Sequence, residues 1–327
     1  MLCKRCVLPG DAPGLRLNDQ GVCNICSAAE GRSSSGKPGE PLESELVALL
    51  DRYRGRGMYD CLVMCSGGKD SVMSLYYMKK RYRMTPLAFT FDHGFEPGGA
   101  LENVKNAVQK LGVDWLYYKT GFMKDVFARV IKSGAKAPIC HVCAIWYIKL
   151  TYDTAARYGI PLLVGGWTRG QRGEGPSMDA YKAMSGATAE FITRELRKDP
   201  RYRDFPRSVK EAAAKGRRRS KGVMISPHWY LPWDPGKAGN ILRDELGWKE
   251  IPKSYPKGST NCLMNFVSVY LTMKNYGYTH YHVEMSDLVR KGRMSREEAL
   301  KLLEIDFGKE ELRPILESIG CGTEDLP

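Results

Sequence analysis

The 327-residue chain has no long hydrophobic run. Its apolar stretches, such as Leu162–Val164 and Cys61–Cys65, fall far short of the ~20 residues that a membrane helix needs, so no membrane span is expected. Residues 1–5 carry no apolar signal core, and the expected location is cytoplasmic. Acidic residues are in deficit: 37 Asp and Glu face 50 Lys and Arg, a formal net charge of +13. That balance attracts polyanions such as RNA or nucleotides, or an acidic partner. The chain has no internal repeat, and neither a Ser-His-Asp arrangement nor a carboxylate dyad for hydrolysis can be assembled from the spacing. With 43% hydrophobic residues, what remains can bury a sizeable core in two domains, or in one domain with appendages.

Ten cysteines in a chain with no export signal are expected to be reduced, so their CxxC pairing points to metal or redox chemistry rather than to disulfides. Cys3, Cys6, Cys23 and Cys26 form C-x2-C-x16-C-x2-C, the spacing of a structural zinc ribbon. Each pair sets two thiolates on one tight turn, and four thiolates close a tetrahedral Zn2+ site. Pro9, Gly10, Pro13, Gly14 and Gly21 between the pairs allow so short a stretch to fold around a metal. An iron–sulfur cluster at the same thiolates is the rival reading.

Residues 31–41 are rich in Gly, Ser and Pro and read as a linker, followed by an amphipathic helix over 42–54. Strand and helix patterns then alternate. Strands are expected at Cys61–Cys65, Leu87–Phe91, Trp115–Lys119 and Pro161–Val164, with helices over 71–82, 100–111, 122–133 and 142–158. Apolar strands spaced by helices imply an α/β fold with a parallel sheet covered on both faces. From residue 187 the pattern turns to basic helical segments, a Trp- and Pro-rich region at Pro227–Pro235 and further helices. Positive charge concentrates between Arg194 and Lys221, with Arg217, Arg218 and Arg219 consecutive. A phosphate-backbone footprint and a solvated linker both fit that run.

Cys65-Ser66-Gly67-Gly68-Lys69-Asp70-Ser71 follows an apolar strand and opens a helix, the setting of a phosphate-binding turn. The two glycines let the backbone approach an anion, and the helix-start amides and dipole favour negative charge. Lys69 supplies a mobile cation, Ser66 and Ser71 supply hydroxyls, and Asp70 caps the helix or helps hold Mg2+. The Walker spacing G-x4-G-K-[ST] is absent from it. The string Ser66-Gly-Gly-Lys-Asp-Ser71 resembles the SGGxDS signature of the PP-loop ATP pyrophosphatases. That resemblance implies a sheet of the adenine-nucleotide α-hydrolase type (Rossmann-like), with ATP at the carboxyl ends of the strands. It also implies transfer of AMP to a carbonyl or amide oxygen, which a nitrogen or sulfur nucleophile then displaces. By position, Asp92 and His93 at the end of the second strand, and Gly165, Gly166 and Trp167 after the fourth, would line the ATP pocket; a structural role for His93 is equally open. The implied division is a zinc ribbon and linker over 1–40, an ATP-binding domain over 41–186 and a mainly helical substrate or partner region over 187–327.

Cys140-x2-Cys143 opens a helix before the last expected strand, and Cys262 closes Ser259-Thr-Asn-Cys262. A CxxC with a distant third cysteine downstream of such a loop resembles the tRNA thiolation enzymes, which hold a 4Fe–4S cluster on three thiolates and leave one iron open for sulfide. A persulfide donor with its resolving thiol and an inert core beside Cys262 remain alternatives. Cys61 and Cys65 share one strand face and are expected in the core; Cys321 has no assigned role.

A second resemblance runs from end to end. Cys3-Lys-Arg-Cys-Val-Leu-Pro, Asn18-Asp-Gln-Gly-Val-Cys-Asn-Ile-Cys26, Tyr59-Asp60, Gly258-Ser-Thr-Asn-Cys262 and Met294-Ser-Arg-Glu-Glu-Ala-Leu300 are similar to the bacterial N-acetyl sugar amidotransferases of surface-polysaccharide synthesis. These turn an acetamido group into an acetamidino group with ammonia from a separate glutaminase subunit. Cys140-x2-Cys143 departs from that family, since ammonia chemistry does not need it. The expectation is therefore a cluster-dependent sulfurtransferase on a sugar-amidotransferase scaffold, with the amidotransferase as the close alternative and an RNA-binding module with a relic ATP fold as the third. Its partners would be a small-molecule or RNA substrate and a sulfur donor or glutaminase subunit, and a homodimer is left open. Trp229, Tyr230 and Trp233 suit unpaired bases, core packing or a nucleotide-sugar, and Lys237 either reaches phosphates or lies on the surface.

Overall fold

The computed structural model describes residues 1–30, 42–171, 178–232, 234–258 and 262–327. The expected linker at 31–41, Trp233 and residues 259–261 lie outside them. The N-terminal stretch folds back on itself through antiparallel bridges from Leu2 to Pro9 and from Leu17 to Cys23 and ends in α1 (Asn24–Glu30). It does not stand alone: Leu8, Ala12 and Leu15 pack with Ala180, Met184, Tyr278 and Val283.

Next come α2 (Glu43–Asp51), β1 (Cys61–Met64), α3 (Lys69–Tyr76), β2 (Pro86–Asp92), α4 (Gly98–Leu111), β3 (Asp114–Lys119), α5 (Phe122–Lys132), α6 (Ile139–Tyr158) and β4 (Leu162–Val164). The helix expected over 71–82 is not uniform; α3 passes at Tyr77 into a wider π turn over Tyr77–Arg81. The chain continues with α7 (Met178–Arg194), α8 (Val209–Ser220), β5 (Val223–Ile225), α9 (Pro235–Leu246), α10 (Met264–Tyr276), α11 (His280–Arg290), α12 (Arg296–Leu303) and α13 (Lys309–Glu317).

The strands form one parallel sheet in the order β3-β2-β1-β4-β5. Its residues divide by alternation, as a pleated sheet covered on both faces requires. Cys61, Val63, Cys65, Ala88, Leu162 and Val164 face Leu46, Leu75, Val104 and Leu242 from α2, α3, α4 and α9. Leu62, Met64, Leu87, Phe89 and Leu163 face Ile148, Tyr152 and Ala155 of α6 and Ala212 of α8. Strand β5, absent from the sequence expectation, comes from the basic region and pairs Val223, Met224 and Ile225 with Leu162, Leu163 and Val164.

The basic run around Arg217–Arg219 is the end of a capped helix. Ser208 Oγ accepts the Glu211 N–H at 3.1 Å at the start of α8. A Cβ on Gly216 would come within 2.3 Å of Tyr152, so glycine there lets α8 lie close on α6. Among the described residues, no helix is long and apolar enough to cross a membrane.

Candidate functional site

The phosphate loop occupies the carboxyl end of the central strand β1, where its conformation admits only glycine at two points. Gly67 has φ +85, and a Cβ there would meet the Ala100 carbonyl oxygen at 2.0 Å. Gly166, just past β4, approaches the loop from the other side: its Cβ would stand 2.7 Å from the Ser71 nitrogen. The Gly67 carbonyl accepts from Trp248 Nε1 at 2.9 Å and Asn103 Nδ2 at 3.3 Å, which fixes the peptide plane. Ser71 Oγ accepts the Ser66 N–H at 3.1 Å, donates to the Gly68 carbonyl at 3.0 Å and lies 3.1 Å from Ser66 Oγ. Gly68 is the N-cap residue and Lys69 the first residue of α3, so the helix dipole and first-turn amides open where the glycines bend.

Asp70 gives the loop its unusual electrostatics. Burial pushes its carboxyl up to about 6, against the pull of Lys69, and its Oδ1 is buried without a hydrogen-bond partner. An orphaned carboxylate oxygen beside an anion-binding helix start fits Mg2+ carried by a nucleotide. Behind it, His228 Nε2 lies 2.9 Å from the Asp70 carbonyl oxygen and 3.1 Å from Ser74 Oγ, and Ser74 Oγ donates to the Gly165 carbonyl at 3.1 Å. Glu284 of α11 accepts from Thr168 Oγ1 at 2.9 Å and Gln171 Nε2 at 3.2 Å. Burial, with Asp70 among the charges opposing ionisation, holds it at about 7. Trp167 stacks on Trp229 with ring centroids 6.4 Å apart, which brings one of the aromatics of the Trp-rich region to the end of β4.

The end of β2 carries the second half of the site. Asp92 is buried and accepts from the Tyr117 hydroxyl and from the Gly94 N–H, so both its oxygens are engaged in the turn. His93 is packed among Phe91, Phe95 and Phe127. Its Nε2 lies 3.6 Å from Cys262 Sγ and 3.5 Å from Glu96 Oε1. The three ligand atoms lie within 4.8 Å of one another. The structure thus brings His93 to the cysteine group. Cys262 is drawn there by the bond from the Leu263 N–H to the Phe95 carbonyl at 3.0 Å.

Cys140 and Cys143 lie at the start of α6, and Cys143 packs with Cys262 against the same core cluster; the ligand atoms that converge within 4.8 Å are those of His93, Glu96 and Cys262. The Cys140 N–H donates to Ser268 Oγ at 3.1 Å, and its thiol donates to Asn265 Oδ1 at 3.3 Å. Burial raises the Cys140 thiol to about 11 and the thiols of Cys143 and Cys262 well above the usual range. Neighbouring charge adds to this: Cys140 and Glu96 on Cys143, and Glu96, Cys140 and Cys143 on Cys262. Three cysteines at least half-buried in apolar surroundings are a soft donor set of the kind that a metal group holds as thiolates. The buried Tyr147 hydroxyl donates to the Phe89 carbonyl at 3.4 Å.

Sequence reasoning missed Glu96, His228, Ser74 and Glu284. Glu96 sits three residues beyond His93, a spacing that carried the only available signal. The others join the loop from distant segments.

At the N-terminus, Cys3, Cys6, Cys23 and Cys26 are all buried with their sulfurs within 4.8 Å of one another. Cys6 and Cys23 sulfurs are 3.8 Å apart, and the N–H groups of Arg5, Cys23 and Cys26 point at the sulfurs of Cys3, Cys3 and Cys23. Hydrogen bonds from Cys23 and Cys26 lower the Cys6 thiol, while sharing with Cys23 raises Cys26. Four soft donors closing on one point, with backbone amides on the thiolates, fit a tetrahedral metal. Cys61 and Cys65 are in the sheet core and Cys321 in the core beside α13.

Comparison with known proteins finds partial likenesses. A family model described as the C-terminal domain of WbpG-like LPS biosynthesis proteins matches residues 260–326, the segment of α10 to α13. An uncharacterized protein of Methanocaldococcus jannaschii is 24% identical over 266 residues, 81% of this chain and 80% of its own. Among solved structures, a predicted subunit of tRNA methyltransferase from M. jannaschii matches with 16% identity and a TM-score of 0.33, covering 68% of this chain and 90% of that one. An NH3-dependent NAD synthetase from Campylobacter jejuni matches with 12% identity and a TM-score of 0.30, covering 54% and 91%. The chain therefore pairs a parallel α/β sheet, bearing an SGGKDS loop at its central strand, with a C-terminal segment similar to that of WbpG-like proteins.

Proposed function

We propose that the protein is an ATP-dependent adenylating transferase that joins AMP to a substrate oxygen and exchanges that oxygen for sulfur delivered from the pocket of Cys140, Cys143 and Cys262. The observation that carries this reading is adjacency. The loop ends β1, and Cys262 meets His93 just past the end of its hydrogen-bonded neighbour β2.

The chemistry follows from the leaving group. Oxide leaves poorly from a carbonyl or amide carbon, whereas AMP leaves readily. In the first step the substrate oxygen attacks the α-phosphorus and pyrophosphate departs. In the second, sulfur attacks the carbon and AMP carries the oxygen away. Lys69, the α3 amides and Asp70 with Mg2+ would offset the charge that builds on pyrophosphate. The three thiols fit a 4Fe–4S cluster, which when bound supplies one iron without a cysteine ligand. The N-terminal four-cysteine group would hold structural zinc over residues 1–40, beside an ATP-binding part over 41–186 and a substrate or partner region over 187–327.

A second reading, the N-acetyl sugar amidotransferase with ammonia from a glutaminase partner, is favoured by the WbpG-like match at residues 260–326. The deciding experiment is pyrophosphate release from ATP with RNA and with acetamido-sugar pools, on protein purified without oxygen and analysed for iron, sulfide and zinc. A brown protein that loses its iron in Cys140→Ala, Cys143→Ala and Cys262→Ala supports sulfur transfer. A colourless zinc protein whose AMP formation depends on ammonia returns the amidotransferase. No pyrophosphate with either pool leaves only the binding module.

A further inference from the structure

A cubane cluster has four irons, and under the proposed function Cys140, Cys143 and Cys262 would supply ligands to three. The pocket offers few candidates for the fourth. Asn265 Oδ1 accepts from the Tyr281 hydroxyl, and Tyr147 is turned to the Phe89 carbonyl at 3.4 Å. Glu96 remains, beside His93, whose Nε2 is directed at the carboxylate and at Cys262 Sγ. The Glu96 side chain is 9% exposed, and its one ion-pair contact among the described residues is His93 at 3.5 Å. No Lys or Arg of the described residues reaches its carboxylate. A carboxylate in so apolar a setting is compensated by a cation or stays protonated. Its oxygen lies within 4.8 Å of Cys262 Sγ and His93 Nε2.

We infer that Glu96 is the resting, exchangeable ligand of the iron that no cysteine holds, with His93 positioning its carboxylate. The inference rests on the sulfurtransferase reading and deepens it. A carboxylate is a hard donor on an iron otherwise surrounded by sulfur, so a softer hydrosulfide displaces it readily. The exchange breaks one Fe–O bond, forms one Fe–S bond and changes no oxidation state. The iron is thereby shielded until sulfide arrives, then opened to it.

The test uses the full-length, anaerobically reconstituted protein as wild type, Glu96→Ala, Glu96→Asp and His93→Ala. The EPR spectrum of the reduced cluster is followed during titration with sodium hydrosulfide. The expected result is equal iron and sulfide content in all four. The spectral change should come at about tenfold less hydrosulfide in Glu96→Ala, because a tethered competitor has been removed, with Glu96→Asp close to wild type. Coincident titrations of wild type and Glu96→Ala would overturn the assignment while leaving the cluster reading standing. A wild-type protein with no labile sulfide, or with a single metal ion in the pocket, would overturn both. If Glu96→Ala does not fold, Glu96→Gln gives the same comparison with volume retained.

Discussion

His228 Nε2 lies 2.9 Å from the carbonyl oxygen of Asp70, two segments 158 residues apart joined at the first turn of the loop helix. The same nitrogen reaches Ser74 Oγ, which holds the Gly165 carbonyl, so one imidazole fastens the loop helix to the end of β4. Replacing His228 with Ala removes those partners from buried groups, a loss of about 1–3 kcal/mol. The expected outcome is a rise in the KM for ATP larger than the fall in kcat, with a lower Tm. Pyrophosphate release kinetics and thermal melting check it.

Gly67→Ala should abolish pyrophosphate release while leaving the sheet intact. The new methyl would sit 2.0 Å from the Ala100 carbonyl oxygen at φ +85, so the loop must move off the place where its amides converge. Backbone strain of this kind costs on the order of 1–3 kcal/mol. Isothermal titration with an ATP analogue, beside far-UV circular dichroism, separates lost binding from lost fold.

Glu284 predicts a pH signature. Its folded value of about 7 exceeds the ordinary 4.5, chiefly through burial, so the folded state binds more protons than the unfolded one between those values. Stability contributed by the protonated acid is full below about 4.5 and is lost as the pH rises through about 7. Glu284→Gln, which cannot ionise, should therefore gain on wild type by about 1–3 kcal/mol between pH 5 and pH 8. Urea unfolding of both proteins at the two pH values measures the difference. A gap that shrinks with rising pH would contradict the assignment.

Removing metal from the N-terminal four-cysteine group should destabilise more than the first thirty residues. Leu8, Ala12 and Leu15 share their core with Ala180, Met184, Tyr278 and Val283, so loosening the knuckle frees α7 and the start of α11. Cys23→Ser, or a strong chelator, is expected to remove one zinc per chain and lower the Tm by several degrees. Zinc analysis coupled to melting provides the check.

The sheet was legible because its signals are local. Leu62 to Met64 and Leu87 to Phe91 are apolar runs between turn residues, and the SGGKDS string sits where a strand meets a helix. Strand β5 was not: three residues between a triple arginine and a serine-proline turn are too short for a periodicity, and only pairing with β4 makes them a strand. The π turn over Tyr77–Arg81 has no distinct pattern of its own. At the site, the cysteines announced themselves by spacing, whereas Glu96, His228 and Glu284 are isolated polar residues whose meaning arises only when the chain folds them against Cys262, Asp70 and Thr168.

The backbone bond from Leu263 to Phe95 bears on biosynthesis. Trp248, which holds the Gly67 carbonyl, belongs with the third thiol and Glu284 to the last quarter of the polypeptide, so a nascent chain on the ribosome finishes neither the glycine loop nor the pocket beside it until its final helices emerge. Under the proposed function this order leaves no stage at which the loop is complete and the pocket is not, so ATP is not split before the incoming sulfur or nitrogen has its place.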